Sequence, residues 1–329
     1  MTRLLFVTSN RIGDAVLSTG VLGQLLESLP DPRVTVVCGP AAASLFSAVP
    51  GLMRVIAMGK RAGGLHWLGL WGRTAWRLWD LVVDIRGSAI SYLVPTRGRI
   101  VGGRPDDALH RVAAMGRLLG ADHPPMPRLW LNALHREMAA RLVPHPEAPE
   151  RTPVLAIGPA ANWRGKQWRA AFFAELARRL TEPDGILPGA RIAVLAAGHE
   201  RPQAAPVLAS VPEDRRIDLV GIVNPLEAYA VLSRCALFIG NDSGLMHLAA
   251  AAGIPTLGLF GPSRERHYAP WGPKGMVVRT QKPYEELVGG PGYDHRTTGT
   301  LMDSLTVSMA ERAAIELWQR GRQATSAAA

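Results

Sequence analysis

Three polar corners carry the residue types that chemistry needs, each directly after an apolar, strand-like run. Ser9-Asn10-Arg11-Ile12-Gly13-Asp14 follows Leu4–Thr8 and opens a helical pattern. A carboxylate near a helix N-terminus is stabilised by free backbone N–H groups and the helix dipole. Asp14 therefore reads either as an ordinary N-cap or as a general base at a strand's C-terminal end. The second corner, Gly158-Pro159-Ala160-Ala161-Asn162-Trp163-Arg164-Gly165-Lys166-Gln167-Trp168, follows Val154–Ile157. It misses the NTP-hydrolysing P-loop, because six residues separate the glycines and Gln167 follows the lysine; the P-loop needs four and a Ser or Thr. Lys166 in such a loop can still hold a phosphate as a point charge. The third corner is Asn241-Asp242-Ser243-Gly244, between the run Leu237–Ile239 and a small-residue helix. Small residues at a helix start let a phosphate approach the free N–H groups closely, here those of Ser243, Gly244 and Leu245. Asp242 can accept hydrogen bonds from those groups, or orient Lys166 or a sugar hydroxyl. His247 reads as facing the site or packed inside. Gly261-Pro262-Ser263 adds N–H groups next door. Glu200, after the run Arg191–Ala196, can accept from a ribose diol or simply be a solvated first-turn glutamate.

The elements that must position these corners alternate. Strand-like runs at Leu4–Thr8, Arg33–Cys38, Val55–Met58, Leu81–Ile85 and Ile100–Val101 are separated by helical spacing at Asp14–Leu29, Ala41–Val49 and Leu65–Leu78, and are followed by a helix at Ala108–Leu119. "LVPHPEAPERTP" between Leu142 and Pro153 is rich in Pro and charge and reads as a linker. The alternation then restarts from Val154 and reaches Thr256–Leu259, with a last helix at Val307–Arg320. Repeated β-α order implies parallel sheets covered on both faces. The expectation is α/β: two doubly wound, Rossmann-like domains, residues 1–148 and 149–329, facing across a cleft, with the final helix (about 306–321) packing back on the first. Ligands of such sheets sit beyond the strand C-termini.

Composition narrows the partners. With 329 residues, 47% of them hydrophobic and 19% charged, the chain can bury two cores. No run reaches the roughly 18 apolar residues of a membrane span. The N-terminus reads as a first strand rather than a signal peptide, which predicts a cytoplasmic protein. Cys38 and Cys235 lie far apart in strand-like runs, so buried free thiols are expected, with no disulfide and no metal site. The net charge of +10 comes largely from arginine, since only Lys60, Lys166, Lys274 and Lys282 are lysines. That balance suits a phosphorylated ligand or an anionic membrane; nucleic acid is not expected, for no dense basic run or nucleic-acid motif appears.

Together the corners resemble glycosyltransferase family 9, the heptosyltransferase family. "RIGDAVLSTGVLGQLL" resembles its N-terminal signature, "GPAANWRGKQW" its lysine-bearing phosphate loop, and "FIGNDSGLMHLAAAAGIPTLGLFGPS" its most distinctive segment. "WDLVVDIRGS" is similar to its acceptor segment, with Arg86 where the family often has glutamine. The resemblance implies a GT-B fold and inverting, metal-independent transfer, with no cofactor beyond a nucleotide-sugar donor such as ADP-heptose. It implies Asp14 as base and Lys166 as the charge on the leaving phosphates. Glu200, Asp242, Ser243, Gly244, Leu245 and His247 would bind donor; Arg11, Asp84 and Arg86 would bind a lipid-linked or phosphorylated glycan acceptor of the lipopolysaccharide core type.

Other readings stay open: a nucleotide-sugar epimerase of the same shape, or a non-catalytic nucleotide-sugar or glycan-binding protein. Ser243 stands one position off the G-x-S-x-G elbow of serine hydrolases. Finally, "HWLGLWGRTAWRLW" places Trp67, Trp71, Ala75 and Leu78 on one helical face and Arg73 and Arg77 opposite. It reads as a core-facing helix, or as an interfacial helix on the anionic inner membrane.

Overall fold

Leu4, Leu5, Phe6 and Val7 are all buried, as a strand covered on both faces requires. They lie in β1 (Thr2–Val7) of a computed structural model that describes residues 1–59, 64–104, 106–144, 152–290 and 293–327. β2 (Pro32–Cys38), β3 (Leu52–Ala57), β4 (Trp79–Asp84) and β5 (Thr96–Val101) complete a five-stranded sheet of order β3-β2-β1-β4-β5. Every pairing in it is parallel. The helix Ile12–Ser28 is buried on more than one side. Gly20 explains this, since a Cβ there would lie 2.2 Å from the carbonyl oxygen of Pro125, so a later segment runs against the helix.

A second sheet holds β6 (Val154–Gly158), β7 (Arg191–Val194), β8 (Arg216–Asp218), β9 (Leu237–Asn241), β10 (Thr256–Phe260) and β11 (Gly275–Arg279). Its order is β11-β10-β9-β6-β7-β8, again parallel throughout. Its core gathers Leu155, Ile157, Trp168, Phe173, Leu257 and Leu259. Cys38 and Cys235 are free and buried, and burial pushes both thiols up to about 12, so they stay protonated.

Several expectations need correcting. The chain divides into compact units 1–132 and 133–329 rather than at 148/149. A helix at Ala133–Leu142, not foreseen, packs on the helix Pro225–Leu232 and so belongs to the second unit. The expected linker lies largely outside the described residues, at 145–151. The last helix (Val307–Ala327) buries Ala310, Ala314 and Leu317 in the second unit's core, over β10, β11 and the helix Ala170–Thr181. The tryptophan-rich helix stops at Thr74, four residues early, and buries Leu70 and Thr74 rather than Trp71 and Leu78. The indole N–H of Trp79, first residue of β4, donates to the Thr74 carbonyl at 2.9 Å and so fixes that end. β11 was also missed. Among the described residues no helix is long and apolar enough to cross a membrane.

If the last helix is part of the second unit's core, Leu317→Ala should lower its unfolding free energy by about 2–4 kcal/mol. Urea unfolding followed by far-UV circular dichroism would measure this, and a wild-type midpoint would contradict the packing.

Candidate functional site

In the second sheet, β6→β7→β8 runs one way and β9→β10→β11 the other. Loops leaving β6 and β9 therefore diverge, and a crevice opens at the strand C-termini between them. Gly158 and Gly240 are register partners at that end. A Cβ on Gly240 would lie 2.9 Å from the Gly158 carbonyl oxygen and 2.6 Å from the Phe238 ring, and one on Gly158 2.8 Å from the same ring, so both glycines leave room for Phe238.

The fully buried Asn241 then ties the β6 loop to β9. Its Nδ2 donates to the Pro159 carbonyl at 2.8 Å, and its Oδ1 accepts from the Trp168 N–H at 3.1 Å. One side chain thus holds both ends of the loop 159–168. The far side of the loop is held by residues 300–305. The Trp168 indole N–H donates to the Leu305 carbonyl at 2.8 Å, and the Leu301 N–H to that of Gly165 at 3.0 Å. Arg169 grips Asp303 with two hydrogen bonds of 2.6 and 2.7 Å, and these hold the Asp303 carboxyl below the usual carboxylate range.

Pinned this way, the short turn Arg164–Lys166 delivers Lys166 to Asp242. Nζ donates to Oδ2 at 2.5 Å, with the lysine side chain 22% and the aspartate 6% exposed. An ammonium has three protons, so one bond to Asp242 leaves donors for a second anion. Beside this pair begins the helix Gly244–Ala251. Ser243 is its extended N-cap but makes no capping hydrogen bond. The hydroxyls of Ser243 and of Ser263, on the neighbouring corner after β10, are both buried without a hydrogen-bond partner in the protein. Buried hydroxyls are normally satisfied. A cation, free helix N–H groups and two unsatisfied hydroxyls form a set that an oxyanion-rich ligand would complete.

Other residues singled out from sequence have more local settings. His247 is buried and faces Tyr268 at 6.3 Å between ring centroids. Glu200 closes its own turn, its Oε2 accepting from the Ala197 N–H at 2.9 Å. In the first unit the sheet order reverses between β1 and β4. Asp14 is the third residue of its helix, half-buried, and accepts from the Ser9 hydroxyl at 3.4 Å; the N-cap is Arg11, whose side chain is exposed. Asp84 is fully buried and holds the turn after β4, accepting from the N–H groups of Arg86 and Ser88, each at 2.8 Å, and from the Ser88 hydroxyl. That turn presents Arg86, whose guanidinium donates to Asn10 at 3.3 Å and lies over the Trp67 ring at 5.4 Å. Asp84 is therefore a residue that positions Arg86. Sequence reasoning missed the tying role of Asn241, the buried Ser263 hydroxyl, and Asn10. The usable signal was position, since each is a polar residue at or just past a strand's C-terminal end.

Two parallel, doubly wound sheets with polar corners at their switch points define a Rossmann-like α/β class. The family model for glycosyltransferase family 9 (heptosyltransferase) matches residues 112–289, more than half of the chain. The chain belongs to this family and is a glycosyltransferase with a GT-B fold. Lipooligosaccharide heptosyltransferase 2 of Haemophilus influenzae is 23% identical over 310 residues, covering 84% of this chain and 88% of that protein. Among solved structures, the glycosyl transferase family 9 protein of Veillonella parvula superposes with TM-score 0.75 at 19% identity, covering 97% of each chain. The ADP-heptose lps heptosyltransferase II of E. coli superposes with TM-score 0.72 at 18% identity, covering 98% of this chain and all of that one.

Asn241→Leu keeps the volume but strands the Trp168 N–H and the Pro159 carbonyl. It should cost about 2–6 kcal/mol of second-unit stability, since each of the two buried unsatisfied groups costs about 1–3 kcal/mol. Asn241→Asp should be no milder, because it keeps the acceptor for Trp168 but sets a buried carboxylate oxygen against the Pro159 carbonyl. Equal urea midpoints for wild type and the leucine variant would refute the tying role.

Proposed function

We propose that this glycosyltransferase moves a heptose from ADP-heptose onto a lipopolysaccharide-core or related surface-glycan acceptor, lipid-linked or phosphorylated, with inversion and without a metal. The observation that carries the reading is the Lys166–Asp242 pair at the second sheet's switch point, beside an uncapped helix N-terminus. The heptosyltransferase names of its relatives support the sugar, and that of one solved neighbour supports the ADP donor.

In this reading Asp14 accepts the proton of the acceptor hydroxyl. The hydroxyl oxygen attacks the anomeric carbon as the bond from that carbon to the diphosphate oxygen breaks on the opposite face. The electron pair leaves with ADP. Lys166 and the N–H groups of Ser243, Gly244 and Leu245 meet the negative charge that develops there, which fixed donors do without reorganising. The Ser243 hydroxyl adds a donor. Asp242 holds Lys166 in place, Glu200 and His247 contribute to the nucleotide pocket, and Arg11 and Arg86 meet anionic groups of the acceptor.

Calorimetry in EDTA should show ADP binding to wild type. Lys166→Ala should weaken it about ten- to a hundredfold, the worth of a charge-assisted hydrogen bond. Asp14→Asn should leave donor affinity intact while turnover falls about 10²- to 10⁴-fold, the usual contribution of a positioned base. A preference for UDP or GDP sugars would discard heptose. Turnover of the nucleotide sugar to an isomer without acceptor would replace the transferase reading with an epimerase.

A further inference from the structure

The helix Leu65–Thr74 is apolar on both sides. A helix on a protein surface normally turns one apolar stripe inward and a polar face outward. Here Leu70 and Thr74 point into the first unit's core, and Trp67 packs partly against it. Yet the outward side carries Leu65, Leu68, Gly69 and Gly72, and the chain just beyond it carries Trp76. Leu68 is 66% and Trp76 85% exposed. The surface continues across a contact: the Trp71 indole N–H donates to the Leu93 carbonyl at 3.0 Å. That bond joins the helix to Ile90–Leu93, where Tyr92 is 64% and Leu93 62% exposed.

The charges around this surface have one sign. Residues 65–79 contain no Asp or Glu. Arg73 and Arg77 lie within the stretch, and Arg99 stands over the Tyr92 ring at 5.3 Å. Among the described residues, none of these three pairs with a carboxylate. Of the nearby acids, Asp80 is taken by Arg97 at 2.9 Å and by the Arg3 N–H, and Asp84 is buried in its turn. A second copy of this face would set arginine against arginine, which disfavours self-association. Exposed Trp, Tyr and Leu beside unpaired arginines instead match the boundary of an anionic bilayer, where aromatic rings sit at headgroup level and cations meet lipid phosphates.

We infer that this face seats on an anionic phospholipid surface, with Leu68 and Trp76 entering the headgroup boundary and Arg73 and Arg77 contacting lipid phosphates. The inference goes beyond the transferase reading and does not depend on it, because the test contains neither donor nor acceptor glycan.

The test is sedimentation of the full chain with vesicles of phosphatidylglycerol and phosphatidylcholine, compared with phosphatidylcholine alone. Wild type should bind the anionic vesicles at low salt and be released as salt rises. Arg73→Gln/Arg77→Gln should weaken binding about thirtyfold, at about 1 kcal/mol per arginine near the surface. Leu68→Ser/Trp76→Ser should weaken it about tenfold or more. All four residues lie in the first unit, so wild-type far-UV circular dichroism and an unchanged urea midpoint would certify that both variants are folded. Three results would overturn the inference. One is wild type showing no preference for anionic vesicles. Another is either double variant binding like wild type. The third is equal loss from both vesicle types on adding salt.

Discussion

A carboxylate and an ammonium, 2.5 Å apart at the end of β9, set the terms for the second unit. Asp242 is almost wholly removed from water. Without Lys166 it would be an unpaired buried charge, which is far more costly than the pair is favourable. The loop that brings Lys166 must therefore be held rather than left to wander. Asn241 grips it from the strand side, and residues 300–305 grip it from outside. The paired glycines Gly158 and Gly240 leave room for the Phe238 ring over the two strand ends.

The first unit solves a similar problem with different residues. There a buried carboxylate, Asp84, is satisfied by backbone N–H groups and a serine hydroxyl instead of by a cation. Its turn then leaves Arg86 extended over Trp67 towards Asn10. In both units a buried polar side chain at a strand's C-terminal end shapes the loop, and the loop presents the cation. The position is the same because both sheets are parallel and both reverse order there.

Much of this was legible in the sequence. Fully apolar runs such as Leu4–Val7 announced strands covered on both faces, and the polar corners lay where strands ended. The partnership of Lys166 and Asp242 was anticipated as one of several options, and the structure brings the two together. Periodicity fails where an element is apolar all round, because it counts apolar faces without naming what covers them. That is why the helix Leu65–Thr74 was given the wrong buried face. In Ala133–Leu142 only Ala139 is buried, so its apolar residues Leu134, Met138 and Leu142 do not mark a core face. Asn241 looked like part of a ligand cradle, since a polar residue's hydrogen-bond partners 73 and 82 positions away cannot be seen from its neighbours.

The strand order also has a consequence for the order of assembly. β6, β7 and β8 follow one another along the chain and are neighbours in the sheet, whereas β9 must return past them to pair with β6. Closing that larger loop carries the greater entropy cost. A nascent or partly refolded chain can thus carry Lys166 on its loop before Asp242 and the helix at Gly244 have arrived beside it. A ligand held by both corners then recognises only chains in which this long-range pairing is complete. Binding of that kind would pull the folding equilibrium towards the finished domain by mass action.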